Sequence, residues 1–152
     1  MLIASYPLAQ FFGAPILGAL SDKHGRKKII LISLIGTFFG YLLFAYGIIT
    51  KNVTLLFASR MLDGFTGGNI STIMSAIADV STVKDKTKNF GMIGMAFGLG
   101  IILGPFIGGN LADPNNVSWF NHSTPFWFAA LICLFNIALV VFNFKETCKK
   151  FS

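Results

Sequence analysis

"GALSDKHGRKK", residues 18–28, places two glycines, one acid and four Lys or Arg residues between two long apolar stretches. The chain around it is 54% hydrophobic and only 12% charged, with a mean hydropathy of +0.70, a formal net charge of +6 and seventeen Phe. A soluble domain of 152 residues needs a far more polar surface to stay dissolved. The solvent implied is a lipid bilayer, and the charged stretch reads as a connection between membrane helices.

A bilayer's hydrocarbon core is ~30 Å thick, so a spanning helix needs roughly 20 mostly apolar residues. Measured that way, the sequence predicts five spans, at 2–20, 29–49, 53–78, 90–112 and 126–144. The first is not a secretory signal peptide, because no basic region precedes it and it carries Tyr6, Pro7 and Gln10. Basic residues cluster on one side of the expected membrane. Lys23, Arg26, Lys27 and Lys28 follow the first span; Lys84, Lys86 and Lys88 follow the third; Lys145, Lys149 and Lys150 follow the fifth. Ten of the twelve Lys and Arg thus fall in alternate gaps, Lys51 lies in the opposite set and Arg60 lies within a span. The positive-inside rule then puts Met1 outside and Ser152 in the cytoplasm. The charge follows membrane sidedness and forms no single patch, so nucleic acid is not an expected partner.

Within the opening stretch, Gly18 and Gly25 permit close backbone approach and a sharp turn, while the basic cluster faces an anionic membrane surface. A topology signal alone needs Lys and Arg but not Gly18, Asp22 and Gly25 at their spacing. The pattern Gly18-x-Leu20-x-Asp22-x-x-Gly25-Arg26-Lys27 resembles the signature of the major facilitator superfamily in the loop joining its second and third helices. Arg60-x-x-x-Gly64-x-x-x-Gly68 resembles the fourth-helix signature. Gly100-x-x-x-Gly104-Pro105-x-x-Gly108-Gly109 resembles the fifth-helix signature of drug:proton antiporters. "IADVST" at 77–82 and "FKET" at 144–147 resemble the ends of the fourth and sixth helices in the tetracycline-resistance-like branch.

The resemblance implies an all-α membrane domain of five transmembrane helices, equivalent to the second through sixth of a twelve-helix transporter, with the first helix and the second half not represented. It also implies proton-coupled efflux of drugs or other small molecules by alternating access in an inner or plasma membrane, with no cofactor. Expected partners are a small-molecule substrate, protons, the lipid bilayer, and either the remaining transporter half or a second copy of the chain. A non-transporting membrane protein, such as a decayed or split gene product or an interaction subunit, is the alternative. In the resembling family the arginine matching Arg26 contacts an acid at the end of the fourth helix, here Asp79, and the aspartate matching Asp22 faces the second half. One position departs from the branch: tetracycline exporters carry an acid beside the aromatic of the third helix, where this chain has Gly40-Tyr41.

An internal similarity supports the inverted three-helix repeats of such folds. "FFGAPILGALSD" at 11–22 and "ILGPFIGGNLAD" at 102–113 share Gly13 with Gly104, Ile16 with Ile107, Gly18 with Gly109, Leu20 with Leu111 and Asp22 with Asp113, without gaps. Gly100, Gly104 and Gly108 share one helix face, where small side chains allow a second helix to come close, and Pro105 can set a kink.

Arg60 and Asp63 are the only charges inside a predicted span. An intramembrane charge costs ~2.5–3.5 kcal/mol on insertion scales, so it needs a partner or a wet cavity. At i and i+3 the two can pair. Two readings follow: a mutually neutralising pair, or a cavity wall with Asp63 as a proton carrier or modulator of Arg60, continued along roughly the same face by Gly64, Gly67, Gly68, Ser71 and Ser75, with Asn69 a further candidate for the pathway. Gln10, Asn69 and Asn136 lie in apolar spans, where hydrogen bonding between helices is the commoner role. His24 and His122 have no neighbours at metal-ligand spacing, and no nucleophile stands at motif spacing from a base, so neither a metal site nor an enzyme is expected. Cys133 falls mid-span and Cys148 in a loop, which makes a disulfide between them improbable.

Overall fold

The computed structural model describes residues 1–115 and 117–148, apart from the side chain of Ile3; Lys149, Lys150 and Ser152 lie outside the described residues. The chain forms six helices and, among the described residues, no strand: α1 (Leu2–His24), α2 (Arg26–Ile49), α3 (Val53–Gly67), α4 (Ile70–Val80), α5 (Lys86–Ala112) and α6 (Thr124–Asn143). α2, α5 and α6 are each long and apolar enough to cross a membrane.

The expected third span, 53–78, is not one helix. It breaks after Gly67, leaving α3 with 15 residues and α4 with 11. Gly67-Gly68-Asn69 combines the two weakest helix formers of the segment with a residue that competes for backbone hydrogen bonds. Here the ladder tightens to i→i−3 bonds, from Gly68 N to Phe65 O at 3.3 Å and from Asn69 N to Thr66 O at 3.2 Å. Side chains take up nearby carbonyls. Gln10 Nε2 donates to Gly67 O at 3.2 Å, and Ser71 Oγ lies 3.1 Å from both Gly68 O and Ala14 O. Irregular backbone is tolerated in an apolar setting where it is buried in protein and satisfied in this way.

α3 is wedged between α1 and α2, and α6 packs on α2. The α1–α3 contact runs through glycine. A Cβ on Gly13 would collide with the Phe65 carbonyl, one on Gly64 with the Tyr6 carbonyl, and one on Gly68 with the Ala14 amide. On the α2 side, Gly36 faces Thr66 and Gly40 faces Asp63. Without a hydrophobic drive between helices in lipid, this intimate van der Waals contact and the hydrogen bonds crossing it hold the bundle together. The largest of the fully buried side chains are accordingly small hydroxyls, Thr72, Ser21, Ser33 and Ser59. α5 packs chiefly on α6 and the edge of α4, and none of its residues is buried.

Candidate functional site: an arginine pocket and a charged corner

Two polar constellations occupy opposite ends of the bundle. At the end shared by the start of α1, the end of α2 and the first turns of α3, a pocket of about 580 Å³ is lined by Leu2, Tyr6, Pro7, Gln10, Tyr41, Phe44, Arg60 and Asp63. Arg60 and Asp63 pair across one helical turn, Nη1 to Oδ2 at 3.6 Å. Asp63 is almost sealed, because its side chain lies against Gly40 of α2, where a Cβ would come within 2.9 Å of Asp63 Cβ. An acid therefore stands against the Gly40-Tyr41 position from the neighbouring helix. The Arg60 guanidinium carbon lies 3.9 Å from the centre of the Phe44 ring and 5.5 Å from that of Phe126. The two rings are in contact, with centroids 4.3 Å apart, so α2 and α6 together present an aromatic face to the cation.

Gly64 and Gly68 do not line this pocket. They form the contact with α1, as their helix turns them toward Tyr6 and Ala14. Asn69 is buried at the helix break, where it precedes α4 without a side-chain capping bond. The polar groups that join Arg60 and Asp63 are instead Tyr6 and Gln10 of α1 and Tyr41 of α2. Gln10 is visible in the sequence as a polar residue in a span. Tyr6 and Tyr41 stand out there for other reasons, Phe44 and Phe126 not at all, and only the fold gathers the four around Arg60.

The other constellation is the α1–α2 corner. Gly25 turns it with φ +97°, a region that L side chains rarely adopt, and a Cβ there would also run into the Glu146 carboxylate. The largely buried Arg26 pairs with Asp22 one turn back, donates from Nη1 to Ser21 Oγ at 2.7 Å, and reaches Asp79 Oδ2 through Nε at 3.1 Å, tying the start of α2 to the end of α4. Gly18 accepts the Ser21 hydroxyl on its carbonyl at 2.7 Å. Lys27 Nζ donates to the Val141 carbonyl at 2.9 Å, putting a cation at the C-terminal, negative end of α6.

Glu146, within the "FKET" segment, completes the corner. Its carboxylate accepts from the backbone amides of Arg26 (2.8 Å), Lys27 (3.2 Å), Thr147 (3.1 Å) and Cys148 (3.0 Å). An acid on amides at the positive end of α2 is a favourable arrangement. Partial burial pushes the Glu146 carboxyl up, but the amides of Cys148, Arg26, Lys27 and Thr147 together outweigh it and hold the group below its usual 4.5.

The signature glycines of α5, Gly100, Gly104, Gly108 and Gly109, have nothing within 4 Å of where a Cβ would stand, and Pro105 lies inside the helix. They meet neither the pocket nor the corner. Among the described residues no group of three or more His, Cys, Asp or Glu is placed to hold a metal, and both cysteines are free.

A bundle of glycine-packed helices, three of them long and apolar enough to cross a bilayer, is the architecture of a membrane protein. Residues 1–150 match the model of the Major Facilitator Superfamily, and the chain belongs to that family. It is 39% identical over 150 residues to the class H tetracycline resistance protein of Pasteurella multocida, covering 99% of this chain and 35% of that protein. It is also 36% identical over 146 residues to multidrug resistance protein 1 of Bacillus subtilis, covering 95% of this chain and 35% of the relative. Among solved structures, the crystal structure of the human organic anion transporter MFSD10 (TETRAN) superposes with a TM-score of 0.81 at 31% identity, over 96% of this chain and 32% of that one. The chain spans about a third of the length of the curated relatives it matches. Family and fold point to a transporter rather than an enzyme, and to a multi-pass membrane protein.

Proposed function

We propose that this chain forms part of a proton-coupled exporter of drugs or other small molecules that works by alternating access. The observation that carries the reading is the Arg60–Asp63 pair inside a pocket of about 580 Å³, formed by the only charged residues within the expected spans. Asp63 is the proton carrier, Arg60 the cation that responds to its protonation, and Tyr6, Gln10 and Tyr41 the polar groups beside them. Five spans cross the bilayer, with α3 and α4 in series as the third, and the Asp22–Arg26–Asp79 corner lies on the cytoplasmic side. Support comes from the alternation of basic residues, from the family, and from relatives named for tetracycline and multidrug resistance. Asp22, exposed on the corner, and the fifth-helix glycines face the rest of the transporter.

The test is a chimaera in which this chain replaces the matching third of the class H tetracycline resistance protein. Cells expressing it should tolerate at least one drug from a panel of tetracyclines, quinolones and cationic dyes better than cells expressing its Arg60→Gln or Asp63→Asn variant. A chimaera that reaches the membrane in normal amount, yet gives the same tolerance with and without Arg60, contradicts the reading.

A further inference from the structure

Arg60 and Asp63 do not share the pocket equally. The Asp63 side chain is 6% exposed and that of Arg60 22%, so the acid is tucked between α2 and α3 while the cation is the member turned to the open volume. At 3.6 Å the pair is longer than a hydrogen bond, and among the described residues Arg60 makes no hydrogen bond to protein. Its guanidinium carbon sits 3.9 Å over the centre of the Phe44 ring, a contact that restrains the group while its N–H donors remain without a hydrogen-bond acceptor among the described residues. A guanidinium carries five such donors in a rigid fork that matches the two oxygens of a carboxylate. The remaining lining of Leu2, Pro7 and the Tyr6 and Tyr41 rings suits an apolar or aromatic body.

We propose that this pocket binds amphipathic organic anions, with the substrate's carboxylate or equivalent paired oxygens on the Arg60 edge and its ring against Tyr6 and Tyr41. The inference rests on the reading of the pocket as the substrate path and adds the sign of the group it prefers. A pocket built to take cations would have the exposures reversed, with Asp63 open and Arg60 sealed. Phe44 is then a positioning residue: it holds the guanidinium against its ring, and has no polar atom to offer the anionic group.

The experiment uses the purified 152-residue chain in lipid nanodiscs and three probes with the same ring, naphthoate, naphthamide and naphthylmethylammonium, with protein-free nanodiscs subtracted for partition into lipid. Naphthoate should bind about tenfold or more tighter than naphthamide, as charge-assisted hydrogen bonds exceed neutral ones by that much. Arg60→Gln should bring the two to equal affinity, and Arg60→Lys should retain part of the preference because it keeps the charge and loses the fork. Phe44→Leu should narrow the carboxylate-to-amide ratio, whereas a merely space-filling Phe44 would weaken all three probes alike. Tightest binding of the ammonium, or a naphthoate preference unchanged in Arg60→Gln, overturns the inference while leaving the pocket reading intact. If all three probes bind no better to the protein than to an Arg60→Gln/Asp63→Asn variant, the pocket reading itself fails and this inference with it.

Discussion

Segments 11–22 of α1 and 102–113 of α5 carry the same five residues in one register, and the fold treats them in opposite ways. Gly13 is pressed against the Phe65 carbonyl, with Gly64 of α3 and Gly68 just after it seated on the same helix, whereas its counterpart Gly104 meets nothing within 4 Å. Gly18 lies at ordinary contact distance, 3.5 Å, from the Ser71 hydroxyl, while Gly109 again faces open space. A small-residue face therefore encodes a capacity for close approach, and whether the capacity is used depends on which helix the topology brings to it. In α1 the partner is α3, from the same 152 residues; in α5 no part of the described chain fills the seam.

The largest expected effect breaks this contrast at its tight end. Gly13→Ala or Gly64→Ala puts a methyl into a backbone carbonyl of the opposing helix, which can yield only if the helices part, and each should destabilise the fold by about 3 kcal/mol, at the upper end of overpacking costs. Unfolding by steric trapping in bicelles measures it. Next is Gly25→Ala, which meets both a backbone angle reserved for glycine and the Glu146 carboxylate, with an expected loss of about 2 kcal/mol in the same assay.

A smaller, pH-dependent effect distinguishes the charged corner from both glycine faces. Because the folded-state carboxyl of Glu146 is held below its usual 4.5, the folded chain binds fewer protons there than the unfolded one, and that stability is present above about 4.5 and lost as pH falls through the lower folded value. Thermal unfolding of the chain should show this loss, and Glu146→Gln should reduce it; an unchanged acid limb would show that the four amides do not hold the carboxylate. Arg26→Ala and Asp79→Ala should then couple by about 1 kcal/mol in a double-mutant cycle, since Asp79 remains partly exposed and such pairs are worth little more. Additive losses would contradict a direct interaction. Smallest of all, Gly104→Ala should leave stability unchanged or raise it by up to about 1 kcal/mol through helix propensity alone. A loss matching that of Gly13→Ala would dissolve the comparison.

Hydropathy was enough to recover the helical class, because bilayer thickness acts on long, unbroken apolar runs. The break at Gly67-Gly68-Asn69 is hidden by that same logic: an apolar average over 53–78 does not register that Gln10 and Ser71 stand ready to satisfy loosened carbonyls. Arg60 and Asp63 stand out as lone charges. Their surroundings do not, since Tyr6, Tyr41, Phe44 and Phe126 come from three other helices and nothing local says that they meet at Arg60. Glu146 was legible only as part of a resembling segment, and its contact with α2 spans 120 residues of sequence.

The central claim is that these helices supply one side of an alternating-access path, with the pocket at Arg60 and Asp63 as its polar element. In this fold, transport is a rocking of two halves about a site between them, so the 152 residues alone provide neither the opposing wall nor a second gate. The most direct measurement is reconstitution of the purified chain into proteoliposomes with an imposed proton gradient, followed by accumulation of cationic, anionic and neutral drugs and dyes. No gradient-dependent accumulation is expected for any of them. Accumulation by this chain alone that disappears in Arg60→Ala would contradict the account.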